Sequence, residues 1–327
     1  MRSGIWPALF AGLGAGLIAV GTVSLHAQAA ADSLAEARAA LQSGEADRSL
    51  TLLNSLPASA EAHNLRCRVQ LILDHLDAAT SECQQAVSLE GKNSGYHLWL
   101  GRVIGERASR ASFMTAFGLA KQVRAELETS VRLDARNADA LADLGEFYNS
   151  APGVVGGGAD KAEDVAAKLD TVNQARAHQL RGWIAEGHKD YGTAEGELKA
   201  AIGVDPHPGS AWMSLASFYR RRERWTDLDA ALESGVKAAQ HDRKAGAALY
   251  NGAMVLVKAN RNLRLAAKML GEYLSSDSKT EEAPAFVANV RLARVLAQLG
   301  DQAGAVQQRS AALALAHDYK PALELKF

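Results

Sequence analysis

Two kinds of hydrophobic order run along this chain of 327 residues. The first is a block: after Arg2, residues Ile5 to Leu25 carry no charge and are rich in Ala, Gly, Leu and Val, and Ala27-Gln28-Ala29 follows. The second is periodic, with apolar residues returning at the spacing of one helix face and the seven prolines falling mostly between the periodic runs. Within the periodic part small residues recur at fixed offsets. Gly182, Ala194 and Ala201 are 12 and then 7 apart, and Ala293, Ala305, Ala312 and Cys67, Ala79, Ala86 repeat those steps. Two helices approach closely only where side chains are small, and such sites must recur on one face of each helix. The offsets place one small residue on a first helix and two on the inner face of a second. They predict helical hairpins, with less regular units around Leu34 to Leu56, Tyr96 to Leu133, Ala138 to Leu169, Trp212 to Val236 and Ala248 to Leu274. Seven or eight hairpins follow, stacked as one array because each buries its apolar side only against its neighbours.

These residues resemble the tetratricopeptide repeat, a unit of about 34 residues built from two antiparallel helices with small side chains where they cross. The resemblance implies an all-α fold, a right-handed α-solenoid over residues 30–327. Residues 1–29 read as an export signal cleaved behind Ala-Gln-Ala. The alternative is an uncleaved N-terminal membrane anchor, since about 20 apolar residues span a bilayer. With no cysteine near the cleavage site and no second long apolar stretch, the expectation is a periplasmic or secreted protein without an integral membrane segment in the mature chain.

Cys67 and Cys83 lie on the two helices of one hairpin, equidistant from His75 in the turn Asp74-His75-Leu76-Asp77. In an exported protein they are expected to form a disulfide, worth about 3 kcal/mol through the loop it closes. Two buried thiols are the alternative.

Two turns are expanded. Gly145 and Ala162 are 17 apart, and the segment between them, "SAPGVVGGGADKA", has the look of a phosphate loop. It lacks the Gly-Lys-Ser/Thr ending and the preceding strand that such a loop needs, so over 150–161 it reads as a turn, with Pro152 stopping one helix and Asp160 capping the next. A reduced functional reading leaves the amides of Gly156, Gly157 and Gly158 as an anion-binding turn. The phrase "FYNSAPGVVGGGADKA" also resembles one found in exported bacterial tetratricopeptide proteins of unassigned function. The second expansion, 105–122, carries Phe113, Met114 and Phe117 at helical spacing among Arg107, Arg110, Lys121 and Arg124. Its apolar face either packs on the next repeat or projects to shape a binding site.

Candidate chemistry is sparse. There is no His-Glu-x-x-His, no Gly-x-Ser-x-Gly, no Cys-x-x-Cys and no clustered ligand set, and the histidines read as scattered, with His207 in a solvated loop. No catalytic residue, cofactor or metal is expected. The 36 basic and 37 acidic residues argue against a nucleic-acid partner.

In the tetratricopeptide family the first helices line a concave side that binds protein segments. By that register the groove residues are Arg68, Arg102, Glu146, Trp183, Ser217 and Arg294, and Arg220 and Arg221 of "YRRRERW" extend a basic stripe. The Lys/Asn/Arg carboxylate clamp of chaperone-binding members is not found. The resemblance therefore implies a non-enzymatic exported scaffold that holds a protein or peptide segment of acidic character. A plainer reading has Trp183 as packing and the arginines as solvated. The alternative function is a cell-envelope accessory subunit or small-ligand binder whose pocket lies between the expanded turns.

Overall fold

The computed structural model describes residues 16–240 and 242–327, with the backbone alone for 16–27. The described residues form seventeen α-helices. They pair as eight hairpins: α1 (Gly16–Ser43) with α2 (Ala46–Asn54), α3 (Ala60–Ile72) with α4 (Leu76–Leu89), α5 (Ser94–Arg110) with α6 (Phe113–Leu133), and α7 (Ala138–Ser150) with α8 (Ala159–Leu169). The pairing continues with α9 (Gln174–Gly187) and α10 (Tyr191–Val204), α11 (Gly209–Arg221) and α12 (Trp225–Gln240), α13 (Ala248–Ala259) and α14 (Leu263–Ser275), and α15 (Ala285–Gln298) and α16 (Gln302–Leu315), before the short α17 (Lys320–Leu323). Of the export signal expected over 1–29, residues 1–15 lie outside the described residues. From Gly16 the α1 backbone runs helical through Ala27-Gln28-Ala29.

Local chemistry sets the hairpin boundaries. Ser59, Asn93, Asn137 and Asn173 precede α3, α5, α7 and α9, and each side-chain oxygen accepts from an amide in the first turn, satisfying a donor that the helix cannot. Five hairpin turns hold a left-handed residue two positions before the second helix: Gly44, Asp74, Lys189, Glu223 and Gly300. In each, the following amide reaches back to a carbonyl five residues earlier, as from His75 N to Gln70 O at 2.9 Å, which closes the first helix.

The small positions at the crossings are buried, including Cys67, Gly101, Gly145, Gly182 and Ala293 on first helices and Ala79, Ala162, Ala194 and Ala305 on second ones. A Cβ on Gly182 would stand 2.9 Å from Leu198 Cγ, which shows how little room the crossing leaves. Cys67 and Cys83 are paired at disulfide distance across α3 and α4, with Cα atoms 5.2 Å apart.

Three histidines are not scattered at all. His63, His97 and His178 each sit four residues before the small residue of a first helix, and Nδ1 meets Glu82, Glu126 or Glu197, three residues past the first small position of the second helix, at 2.7, 2.6 and 2.7 Å. In the fourth hairpin the same two positions are Leu141 and Val165, both buried. One site thus ties first helix to second, by hydrogen bond or by apolar contact. His207 likewise faces Asp242 Oδ2 at 2.8 Å rather than solvent alone.

The expansion at 105–122 is not a loop. Both helices lengthen, α5 to Arg110 and α6 from Phe113, around a two-residue turn. Phe113 and Met114 at its tip are 84% and 80% exposed, so they project and do not pack on the next repeat. In the 150–161 turn the residue capping α8 is Gly158, and Asp160 lies within the first turn of the helix.

First helices touch first helices from α1 through α13, whereas second helices meet the first helix of the next hairpin, so the array curves with first helices inside. After eight hairpins the curve brings its ends together. Leu41, Leu53, Leu65 and Leu73 share one buried cluster with Phe286, Val290, Ala316, Tyr319 and Ala322. The meeting is end-on: the turns at Gly44 and His75 face the opposite end of the last hairpin, at Pro284–Ala285 and Asp318. The C-terminal segment therefore docks rather than dangles.

A tie between hairpins five and six is sensitive to acid. Tyr219 Oη donates to Glu195 at 2.8 Å, with Arg224 and Lys199 on the same carboxylate. Burial opposes its charge, but these three donors together hold the carboxyl down at about 2. An unfolded glutamate titrates near 4.5, so this stability is complete above that pH and is lost as the pH falls through about 2. Denaturant midpoints measured from pH 6 to 2 should show Glu195→Gln less stable at pH 6 and with a shallower acid loss than the wild type. At the closure, a Cβ on Gly44 would overlap the backbone nitrogen of Ala285, while one on Gly300 meets nothing within 4 Å, and both residues are left-handed. Gly300→Ala should cost about 1–2 kcal/mol through the backbone alone. Gly44→Ala should cost more and widen the scattering profile, as the ends part.

Candidate functional site

The inner surface is built by first helices, and its largest space is a cavity of about 660 Å³ lined by α5, α7, α9, α11 and α13 and by the loops that carry Lys244 and Glu282. Arg102, Glu146 and Trp183 come together here. Ser217, Arg220 and Arg221 line a smaller adjoining space of about 260 Å³, which shares Ser210, Ser214 and Asn251 with the first. Arg68 lies further round, in a space of about 390 Å³ with Asn64, Tyr96 and Trp99. Arg294 is exposed and lines none of these three.

Three of these arginines are already paired, while Arg220 Nε is buried without a partner. Arg102 donates through Nε to Asp143 at 2.6 Å, Arg221 binds Glu186 through two bonds of 2.7 Å, and Arg68 Nε donates to Glu281 at 3.1 Å. Arg176 meets Asp139 at 2.5 Å in the same manner. Arg102, Arg176 and Arg221 each reach a carboxylate on a neighbouring first helix, so part of the expected basic stripe is a ladder of ion pairs internal to the fold. Sequence register finds the arginines but not their partners, because Asp143, Glu186 and Glu281 lie 41, 35 and 213 residues away.

Counted with these partners, the sign of the cavity reverses. Asp139, Asp143, Glu146, Asp205 and Glu282 line it against Arg102, Arg176 and Lys244. Glu146 has no arginine of its own. Burial, and then the charge of Asp143, hold its carboxyl above the ordinary range, with Arg102 pulling the other way. Arg102 is kept charged in spite of its burial by the hydrogen bonds and charge of Asp143.

Trp99, which the register does not single out, anchors the 390 Å³ space. Arg68 lies 4.9 Å and Arg102 4.7 Å from its ring centroid, a cation–π arrangement that holds both guanidiniums in place. Asn64 beside it is 5% exposed and its Nδ2 has no hydrogen-bond partner.

The partner of Arg68 comes from the segment 276–284, which joins α14 to α15. Tyr273, fully buried, pins that segment from below: its Oη donates to the Ala283 carbonyl at 2.8 Å and accepts from Thr280 N at 3.0 Å. Glu281 is thereby delivered across the inner face to Arg68, with both side chains about 15% exposed.

The glycine turn does not present its amides. Gly156 N donates to Gly153 O at 2.9 Å, Gly157 N to Pro152 O at 3.2 Å and Gly158 N to Tyr148 O at 2.8 Å, so the three groups proposed for an anion are used within the turn. Lys161 Nζ in turn donates to Gly156 O at 2.9 Å. The turn rests on the shaft of α6, where Arg124 reaches the Val155 carbonyl at 3.3 Å, and not on its exposed tip.

The chain matches no family model and no curated protein. Among solved structures it is similar to a thermophilic tetratricopeptide protein of Thermus thermophilus, at 20% identity and a TM-score of 0.48 over 58% of this chain and 98% of that one. It is also similar to the C-terminal part of a tetratricopeptide repeat-containing protein from Cytophaga hutchinsonii, at 16% identity and a TM-score of 0.41 over 90% and 100% of the two chains. MamA gives 16% identity and a TM-score of 0.35 over 52% and 91%. The architecture of this chain rests on its own helix pairs.

The inner face carries an expectation that hydrogen exchange can check. Glu281→Gln and Arg68→Ala should each speed exchange of the amides in 276–284 while leaving α9 and α10 unchanged; equal protection in both variants would mean that Tyr273 alone holds the segment.

Proposed function

We propose that this protein is a non-enzymatic scaffold that holds a segment of another protein against the inner face of its solenoid, and that the segment is basic. The observation that carries this reading is the lining of the 660 Å³ cavity, in which carboxylates outnumber cations and Glu146 lacks a cationic partner. An arginine or lysine entering there would gain an ion pair in a partly buried setting, and Trp183 offers the aromatic surface on which such side chains rest. The rigid stacked helices support it as well, since pre-organised side chains lose little further freedom on binding. The acidic partner expected from the arginine register has less in its favour, because Arg68, Arg102 and Arg221 are already matched.

Export fits the same reading. A paired Cys67 and Cys83 suits an oxidising compartment. The domain division, a signal over 1–29 and a solenoid over 30–327, is retained on these grounds.

Binding of the mature chain to immobilised peptides of matched length is the test. Basic peptides should be retained and released by salt, and Glu146→Gln should weaken them about tenfold without lowering the melting temperature, whereas Trp183→Ala should weaken them and also lower it, since Trp183 packs against the core. Retention of acidic peptides in preference to basic ones would overturn the reading.

A further inference from the structure

Where the last hairpin meets the first two, Asp47, His317 and Asp318 converge with His75 beside Asp318, and we propose that they bind a divalent transition-metal ion of the zinc class. The four residues come from three separate places: Asp47 from the first turn of α2, His75 from the turn before α4, and His317 and Asp318 from the segment after α16. One ligand atom from each of Asp47, His317 and Asp318 lies within 4.8 Å of the others. His75 Nε2 stands 3.6 Å from Asp318 Oδ2, outside that group of three. With His75 drawn in beside Asp318, two imidazoles and two carboxylates would make a four-coordinate nitrogen and oxygen donor set, which suits zinc rather than the all-oxygen sites of calcium or magnesium.

Two details go beyond proximity. His75 Nδ1 faces Gln70 Oε1 at 2.9 Å, and since an amide oxygen only accepts, Nδ1 carries the proton. Nε2 is then left with its lone pair toward Asp318, the orientation that an outer hydrogen bond gives a metal-ligating histidine. In addition, Asp318 Oδ1 is shielded from solvent and has no hydrogen-bond partner. An acceptor in that position lacks a counterpart, and a cation held at Asp318 supplies one.

Asp47 already holds His317 in place. Its Oδ2 accepts from the His317 amide and its Oδ1 from Nδ1, both at 2.9 Å. A metal replaces the proton shared by Nδ1 and Oδ1, and tetrahedral bonds of about 2.1 Å require these atoms to part to about 3.4 Å. His317 is 77% exposed, so it has room to move. Because the ligands belong to the first, second and last hairpins, the ion would fasten the two ends of the array to each other and stabilise the closed form by mass action.

The test is calorimetric titration of the full mature chain with zinc chloride, paired with melting curves and with cobalt chloride absorption as a report of coordination. One ion per chain, a rise in melting temperature and a four-coordinate cobalt spectrum are expected. Asp318→Asn and His75→Ala should weaken binding at least about tenfold, and Gln70→Leu about tenfold through the outer hydrogen bond. His188→Ala, at an exposed histidine of another hairpin, should change nothing. Far-UV circular dichroism of each variant separates lost binding from lost fold. Binding that survives in Asp318→Asn and His75→Ala, or that falls equally in His188→Ala, would be adventitious and would overturn the proposal, as would the absence of binding.

Discussion

Close approach of helices at small side chains is the constraint on which the rest of this molecule depends. Where Gly182 meets Leu198, or Gly145 meets Leu180, even a methyl group has no place. Each crossing therefore fixes the distance between two helices and the tilt at which the next hairpin is added. Added hairpin by hairpin, the tilts accumulate, and the chain comes round until its last hairpin lies end-on over its first two. No strong interaction is needed to begin the closure, which follows from the sum of the crossings. What the ends contribute is a buried apolar patch and a few polar contacts that hold the array shut.

Closure changes the meaning of the inner face. In an open array the arginines of successive first helices would confront solvent or a partner. Here Arg68 takes Glu281 from the far end of the chain, and Arg102 and Arg221 take carboxylates from adjacent helices. Charged groups so confined are kept only when paired, and the pairing takes up Arg68, Arg102 and Arg221 of the basic stripe. What remains available is the acid left without an arginine, Glu146, and the aromatic surface of Trp183 beside it. The proposed function rests on that remainder and not on the gross count of charges.

The recurring polar positions tell a similar story at smaller scale. His63, His97 and His178 occupy the site that Leu141 fills in the fourth hairpin, and the second helix changes in step, with a glutamate facing each histidine and Val165 facing the leucine. A buried polar atom needs a partner and an apolar one needs contact, so the two positions must be chosen together. The repeat tolerates either solution because both occupy the same gap between paired helices.

What the sequence by itself determined is local and periodic. Offsets of 12 and 7 between small residues specify the hairpins, and Cys67 and Cys83 fall opposite each other because equal distances from a turn in an antiparallel pair dictate it. The seven or eight repeats were legible for the same reason. The glycine turn was legible as a turn, since it lacked the residues a phosphate needs, but not the use of its amides by the Gly153, Pro152 and Tyr148 carbonyls. Tertiary structure alone decided which residues distant in the chain meet: Glu281 with Arg68, His317 with Asp47, and Phe286 with the N-terminal core. The physical reason is that small tilts add around the whole array. A modest change in each would leave every local pattern intact and still carry the two ends apart, so no stretch of sequence shorter than the full solenoid encodes the closure or the charge of the face it encloses.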